Sequence, residues 1–122
     1  MIGSFLDLEI YRLSLELAKD IHYLLKTFPK DEKFLLVDQM NRASRGIPSL
    51  IAEGWAKRRQ VKEFQKYLRD AVGECNEMMN HIQQAALFRY IPEVKSKDLV
   101  KRYDVLASKV YTLKNNWKNF ET

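Results

Sequence analysis

Apolar residues recur along this chain at steps of three and four, the period at which side chains share one face of an α-helix. Leu6, Ile10, Leu13, Leu17, Ile21, Leu24 and Phe28 form one such stripe, which predicts a first helix over about 6–27. A second stripe, Leu8, Tyr11, Leu15, Ala18, His22 and Leu25, runs beside it. The two leave only a narrow polar strip of Glu9, Arg12, Glu16, Lys19, Asp20 and Tyr23. A face this wide predicts burial against more than one neighbour. Pro29 ends the helix, because the residue before a proline is pushed out of the helical region.

The second segment is expected to start near Asp31 or Glu32, acids that suit the positive end of a helix. Leu36, Met40, Ala43, Ile47, Ile51 and Trp55 are its core stripe. Pro48 falls inside it, removing one backbone hydrogen bond and pressing on the carbonyl of Ser44, with Gly46 weakening the same turn. The period continues in phase across the proline, so one kinked helix is expected and not two. The third segment spans about 61–88, with Phe64, Leu68, Ala71, Cys75, Met78, Ile82 and Ala85 inward and Tyr90-Ile91-Pro92 as its break. The fourth is expected to begin near Ser96 as N-cap. It carries Leu99, Tyr103, Leu106, Val110, Leu113, Trp117 and Phe120 at alternating steps of four and three, a heptad seam. Four helices joined by short turns pack as up-down neighbours. The expected fold is all-α: an antiparallel four-helix bundle in one domain over 1–122, with a proline kink in its second helix.

Composition agrees with that pattern. In 122 residues, 46% hydrophobic and 30% charged, four glycines and three prolines suit long helices with short connections. No apolar run approaches the roughly 18 residues of a membrane span, so no membrane partner is expected. Asp7 and Glu9 inside the first apolar stretch argue against a signal peptide. The single cysteine, Cys75, has no internal disulfide partner, and a cytoplasmic, reducing location is expected.

Candidate chemistry is sparse. Glu74, Glu77 and His81 share a helix, but Glu77 to His81 is one residue too long for the Glu-x-x-His of bundle metal sites. His22 on an apolar stripe reads as a hydrogen-bonded, half-buried residue, and Cys75 as a small buried hydrophobe. There is no glycine-rich phosphate loop and no nucleophile elbow. A non-enzymatic protein with no cofactor and no metal is expected.

Charge is more informative. The net value is +5. Between 42 and 69 lie Arg42, Arg45, Lys57, Arg58, Arg59, Lys62, Lys66 and Arg69 against only Glu53 and Glu63, a net +6. The remainder, thirteen basic and fourteen acidic residues, sums to −1. Lys57, Arg58 and Arg59 fall at the expected turn between the second and third helices. Lys62, Lys66 and Arg69 follow at steps of four and three, one exposed ridge. Tyr67 lies near it, placed either to stack on a base or to join the core. Basic charge gathered in one stretch favours a nucleic-acid backbone as partner over a merely solubilising face.

The string Arg42-Ala43-Ser44-Arg45-Gly46-Ile47-Pro48-Ser49-Leu50-Ile51-Ala52-Glu53-Gly54-Trp55 resembles the signature of a bacterial four-helix-bundle family, proteins encoded by intervening sequences within large-subunit ribosomal RNA genes. That pattern is close to R-A-x-x-S-I-P-x-N-I-A-E-G, followed by a basic turn and a K-E-F entry to the third helix. Lys62-Glu63-Phe64 stands at that entry, and Asp7-Leu8-Glu9-Ile10-Tyr11 matches the usual opening of the first helix. Gly46 departs from the usual serine and Leu50 from the usual asparagine. The resemblance implies a homo-oligomer, often a ring-like pentamer. It is distantly similar to the accessory variability determinant of diversity-generating retroelements, which implies a nucleic acid and a reverse transcriptase as partners. The expectation is an oligomeric, non-enzymatic nucleic-acid-binding accessory protein, RNA ahead of DNA. The alternative is a scaffold or protein-interaction module with no nucleic-acid role.

Overall fold

The computed structural model describes residues 2–118. Among them four α-helices form the fold: α1 (Glu9–Leu24), α2 (Leu36–Trp55), α3 (Val61–Leu87) and α4 (Glu93–Asn116). Short 3₁₀ turns stand at Phe5–Asp7, Leu25–Thr27 and Lys30–Glu32.

Contacts run in opposite order along α1–α4 and α2–α3, and the start of α3 meets the end of α4. Across α1 and α4, Lys109 Nζ lies 3.1 Å from Glu9 Oε1 and Arg102 Nη2 lies 2.7 Å from Asp20 Oδ2. Across α2 and α3, Gly54 faces Phe64 and Tyr67 while Gly46 faces Glu74. Across α3 and α4, Gln65 Nε2 donates to the carbonyl of Lys114 at 3.1 Å. Across α1 and α2, Arg45 Nη2 meets His22 Nδ1 at 3.2 Å. Neighbours are therefore antiparallel, and α1 closes the bundle against both α2 and α4. The connections 25–35 and 88–92 lie at one end, and the turn 56–60 lies at the other.

The core is the set of stripes read from the sequence. Leu17 and Ile21 of α1, Met40, Ile47 and Ile51 of α2, Phe64, Leu68, Met78 and Ile82 of α3, and Leu99, Tyr103, Leu106 and Val110 of α4 are buried together. Leu113 and Trp117 continue the α4 seam half-buried; Phe120 lies outside the described residues. α2 runs unbroken through the buried Pro48. Next to it, Ser49 Oγ donates to the carbonyl of Arg45 at 3.0 Å.

Three helix starts differ from expectation, each for a local reason. Leu6 is 56% exposed, because Ser4 Oγ accepts from its amide and closes a 3₁₀ turn. Leu8 then adopts an extended conformation, which takes Leu6 out of phase with α1. α2 begins at Leu36 and not near Asp31, because Leu35 has a non-helical backbone. Glu32 still serves the helix from four residues outside, its Oε2 accepting from the Leu36 amide at 3.1 Å. α4 begins at Glu93 with Pro92 as N-cap, and Ser96 is buried inside the first turn. A proline there forfeits no intrahelical bond, since the first amides of a helix have no partner within it. The second stripe of α1 is also only half covered, with Leu15 exposed beside a groove shared with Pro48, Ser49 and Ala52.

Candidate nucleic-acid interface

α2 ends at Trp55, and the chain reverses in five residues. Lys57 N donates to the Gly54 carbonyl at 2.9 Å, and Gln60 N to the Lys57 carbonyl at 2.9 Å. Under this turn sits an aromatic cluster. Phe64 meets Trp117 edge-on at 4.8 Å between ring centres, and Trp55 meets Trp117 at 5.8 Å and Phe64 at 6.1 Å. Trp117 Nε1 donates to the Arg58 carbonyl at 2.7 Å, so the end of α4 clamps the turn's backbone. The Arg58 guanidinium lies 4.5 Å over the Trp55 ring and donates to the Trp55 carbonyl at 3.1 Å. Cation–π stacking of this kind fixes a guanidinium without neutralising it.

Gly54 explains how α3 comes so close. A Cβ at this position would lie 2.7 Å from Tyr67 Cβ and 3.1 Å from Phe64 Cδ1. Only hydrogen fits there, and the close approach sets the first turn of α3 tightly against the last turn of α2. Tyr67 is half-buried by that contact, and the Lys57 ammonium lies 5.3 Å over its ring.

The eight basic residues singled out from the sequence separate into two groups. Lys57, Arg58 and Arg59 occupy the turn, and Lys62, Lys66 and Arg69 climb the exposed side of α3, opposite buried Phe64, Leu68 and Ala71. That ridge rises about 10 Å at 1.5 Å per residue. Arg42 and Arg45 stand apart, Arg45 lying about 15 Å along α2 from its end at Trp55 by the same rise. Arg42 is ion-paired with Asp38 at 3.2 Å, and Arg45 is held against His22 across the α1–α2 groove.

An acidic row on α3 escaped the sequence reading. Asp70, Glu74 and Glu77 follow at steps of four and three, starting at the residue after the basic window closes. Partial burial, then Glu77 and Asp70, push the Glu74 carboxyl above its ordinary range. The same spacing of four and three that marks the basic ridge marks this row in the sequence. The row bounds the positive surface towards the middle of the bundle.

Elsewhere the reactive side chains are occupied or sealed. Cys75 is fully buried, and burial followed by Glu74 pushes its thiol up to about 12. Burial likewise raises the Tyr103 hydroxyl, first among several causes, and that hydroxyl has no protein partner. His81 is buried with Nε2 3.4 Å from Glu77 Oε2, a burial that its polar neighbours in sequence did not signal. Among the described residues no three His, Cys, Asp or Glu side chains converge to hold a metal ion, and no helix is long and apolar enough to cross a membrane.

Fold and surface together define an all-helical bundle that presents a rigid basic turn. The profile of the family described as 23S rRNA-intervening sequence protein matches residues 6–112, and the chain belongs to that family. No curated protein matches it.

Proposed function

We propose that this protein is a non-enzymatic, self-associating nucleic-acid-binding accessory protein that grips the phosphate backbone with its α2–α3 turn and the adjoining ridge of α3. The observation that carries this reading is a basic turn whose backbone is clamped by Trp117 and whose Lys57 and Arg58 are stacked on Tyr67 and Trp55, continued by the exposed ridge of Lys62, Lys66 and Arg69. The two stacked cations lose little conformational freedom on binding, so more of their phosphate contact is realised as affinity. Arg42 and Arg45, being remote and engaged, contribute to the field and not to the contact. A cluster of like charge with no groove-reading element beside it favours recognition of backbone, with flexible RNA single strands preferred. The half-covered stripe of α1 around Leu15 gives a neighbouring subunit a place to pack, and a ring of five is the form implied by the family resemblance.

Binding of a labelled single strand at about 50 mM salt tests this. Lys62→Gln with Lys66→Gln should weaken binding by a similar factor for every sequence and flatten the slope of log affinity against log salt by one to two units, at about 0.7 per contact on single strands. Lys19→Gln with Lys26→Gln, on exposed positions of α1 and the following turn, should change little. Equal losses from both pairs would reject the ridge as the contact surface.

A further inference from the structure

The end of the bundle remote from the basic turn carries an unpartnered apolar surface. Phe34 and Leu35 in the α1–α2 connection, Leu87 and Phe88 at the end of α3, and Val94 in the first turn of α4 are each 51–82% exposed. Three separate segments bring them to one end. Tyr90 OH donates to Glu32 Oε1 at 2.8 Å, and Phe28 packs on Tyr90 at 5.4 Å, tying the two connections together beneath them. With roughly 150–200 Å² for a fully exposed side chain of this size, the five expose on the order of 500–700 Å². The largest apolar patch on a typical monomer is about 300–600 Å², and a stable interface takes roughly 800 Å² from each partner. The patch alone is thus at or above the largest apolar patch of a typical monomer, and with a polar rim added it approaches the area a partner contributes to a stable pair.

The rim says what covers it. Lys26, Lys30, Lys33 and Arg89 stand in the same segments as Asp31 and Glu93, all exposed, so the rim carries both signs with the basic one in excess. A rim facing an anionic lipid surface needs one sign of charge. A rim facing its own copy across a two-fold axis needs both signs, since each positive group must meet a negative one in the same surface.

We infer that this end is a two-fold docking surface for a second copy of the chain, with Phe34, Leu35, Leu87, Phe88 and Val94 as its apolar centre. The two basic turns then point outwards, separated by two bundle lengths. α3 alone is about 40 Å long at 1.5 Å per residue, so they stand on the order of 80 Å apart. If the proposed nucleic-acid role holds, such a pair bridges two strands; the docking itself does not depend on that role.

Sedimentation velocity of the full chain at micromolar concentration, with and without Phe34→Glu plus Leu87→Glu, tests the inference. The wild type should have twice the mass of the variant, whatever contacts α1 makes elsewhere. For a chain with no other contact this means a pair of 14.5 kDa protomers becoming single ones. Helical circular dichroism should be unchanged, because both side chains are exposed. Val94→Glu, on a different helix, should give the same halving and serves if the double variant does not fold. Equal masses for wild type and a folded variant would overturn the inference. So would a wild type that stays unpaired and instead floats with vesicles of anionic lipid. Strand binding by the variants reports on the basic end separately.

Discussion

The two ends of this bundle are built on opposite plans. At the α2–α3 end, polar groups are outside and the frame beneath them is aromatic, close-packed and clamped by a third helix through Trp117. At the other end, large apolar groups are outside, and a tyrosine–glutamate hydrogen bond and a tilted Phe28–Tyr90 pair lie beneath. Backbone strain is also found there. Arg89 has φ of 63°, the left-handed position that normally takes glycine after a helix. Tyr90 N donates to the Ala85 carbonyl at 2.8 Å and Arg89 N to the Ala86 carbonyl at 3.0 Å, the paired bonds of a Schellman ending. The difference teaches that charge is offered here on a stiff platform, while the apolar end tolerates a strained residue to keep a cation at its rim.

The contrast breaks most sharply at Gly54. Gly54→Ala inserts a Cβ within 2.7 Å of Tyr67 Cβ, where neither partner is a flexible tip, so α2 and α3 must part near the turn. Overpacking of this kind costs about 1–3 kcal/mol, the upper half being expected at so short a distance. Chemical denaturation should show that loss together with weaker strand binding. An unchanged midpoint would mean that the close approach does not hold the basic end.

The shared middle should answer to pH and to neither end. Folding raises the Cys75 pKa to about 12 from an unfolded value near 9, so the folded state favours the protonated thiol. That contribution is complete below pH 9 and is lost as pH climbs towards 12. By linkage the loss is about 1 kcal/mol at pH 10. Cys75→Ala should flatten the stability profile between pH 9 and 10, although it also opens a small cavity that lowers stability at every pH. A slope unchanged by the substitution would show the thiol to be accessible. Tyr103, raised in the same direction, steepens the fall beyond pH 10 in both proteins.

The smallest effect is expected at the apolar end. Arg89→Gly removes the left-handed strain and should stabilise the protein by about 0.5–1 kcal/mol, read as a higher denaturation midpoint. A loss of stability would show that the Arg89 side chain holds the apolar end together.

Most of the bundle was legible in the sequence because its helices carry long, regular apolar stripes. Met40 to Trp55, Phe64 to Ala85 and Leu99 to Val110 fell on the core faces read from spacing alone. What spacing does not encode is the competition at helix starts, where Ser4, Glu32 and Pro92 each redirect one turn of backbone through a local bond or a missing amide. The basic turn and ridge were legible from spacing, but the separation of Arg42 and Arg45 from them was not. A window in sequence joins Arg45 to Lys57, whereas α2 holds Arg45 about 15 Å from the end at which Lys57 sits. The clamp of Trp117 on Arg58 was hidden for a different reason, since it joins positions 59 residues apart through a backbone carbonyl that no pattern marks. The exposed apolar end was equally hidden, because Phe34, Leu87 and Val94 belong to three segments that only the finished topology brings together.

The central claim is that nucleic acid engages one end of the molecule and leaves the other free. Amide chemical shifts of the isotope-labelled protein, followed while an unstructured RNA strand is titrated in at low salt, locate the contact residue by residue. Progressive shifts are expected at 57–69, centred on the turn and the Lys62–Lys66 ridge, with 30–35 and 87–94 unmoved. Shifts concentrated at 30–35 and 87–94, or none anywhere at saturating RNA, would contradict it.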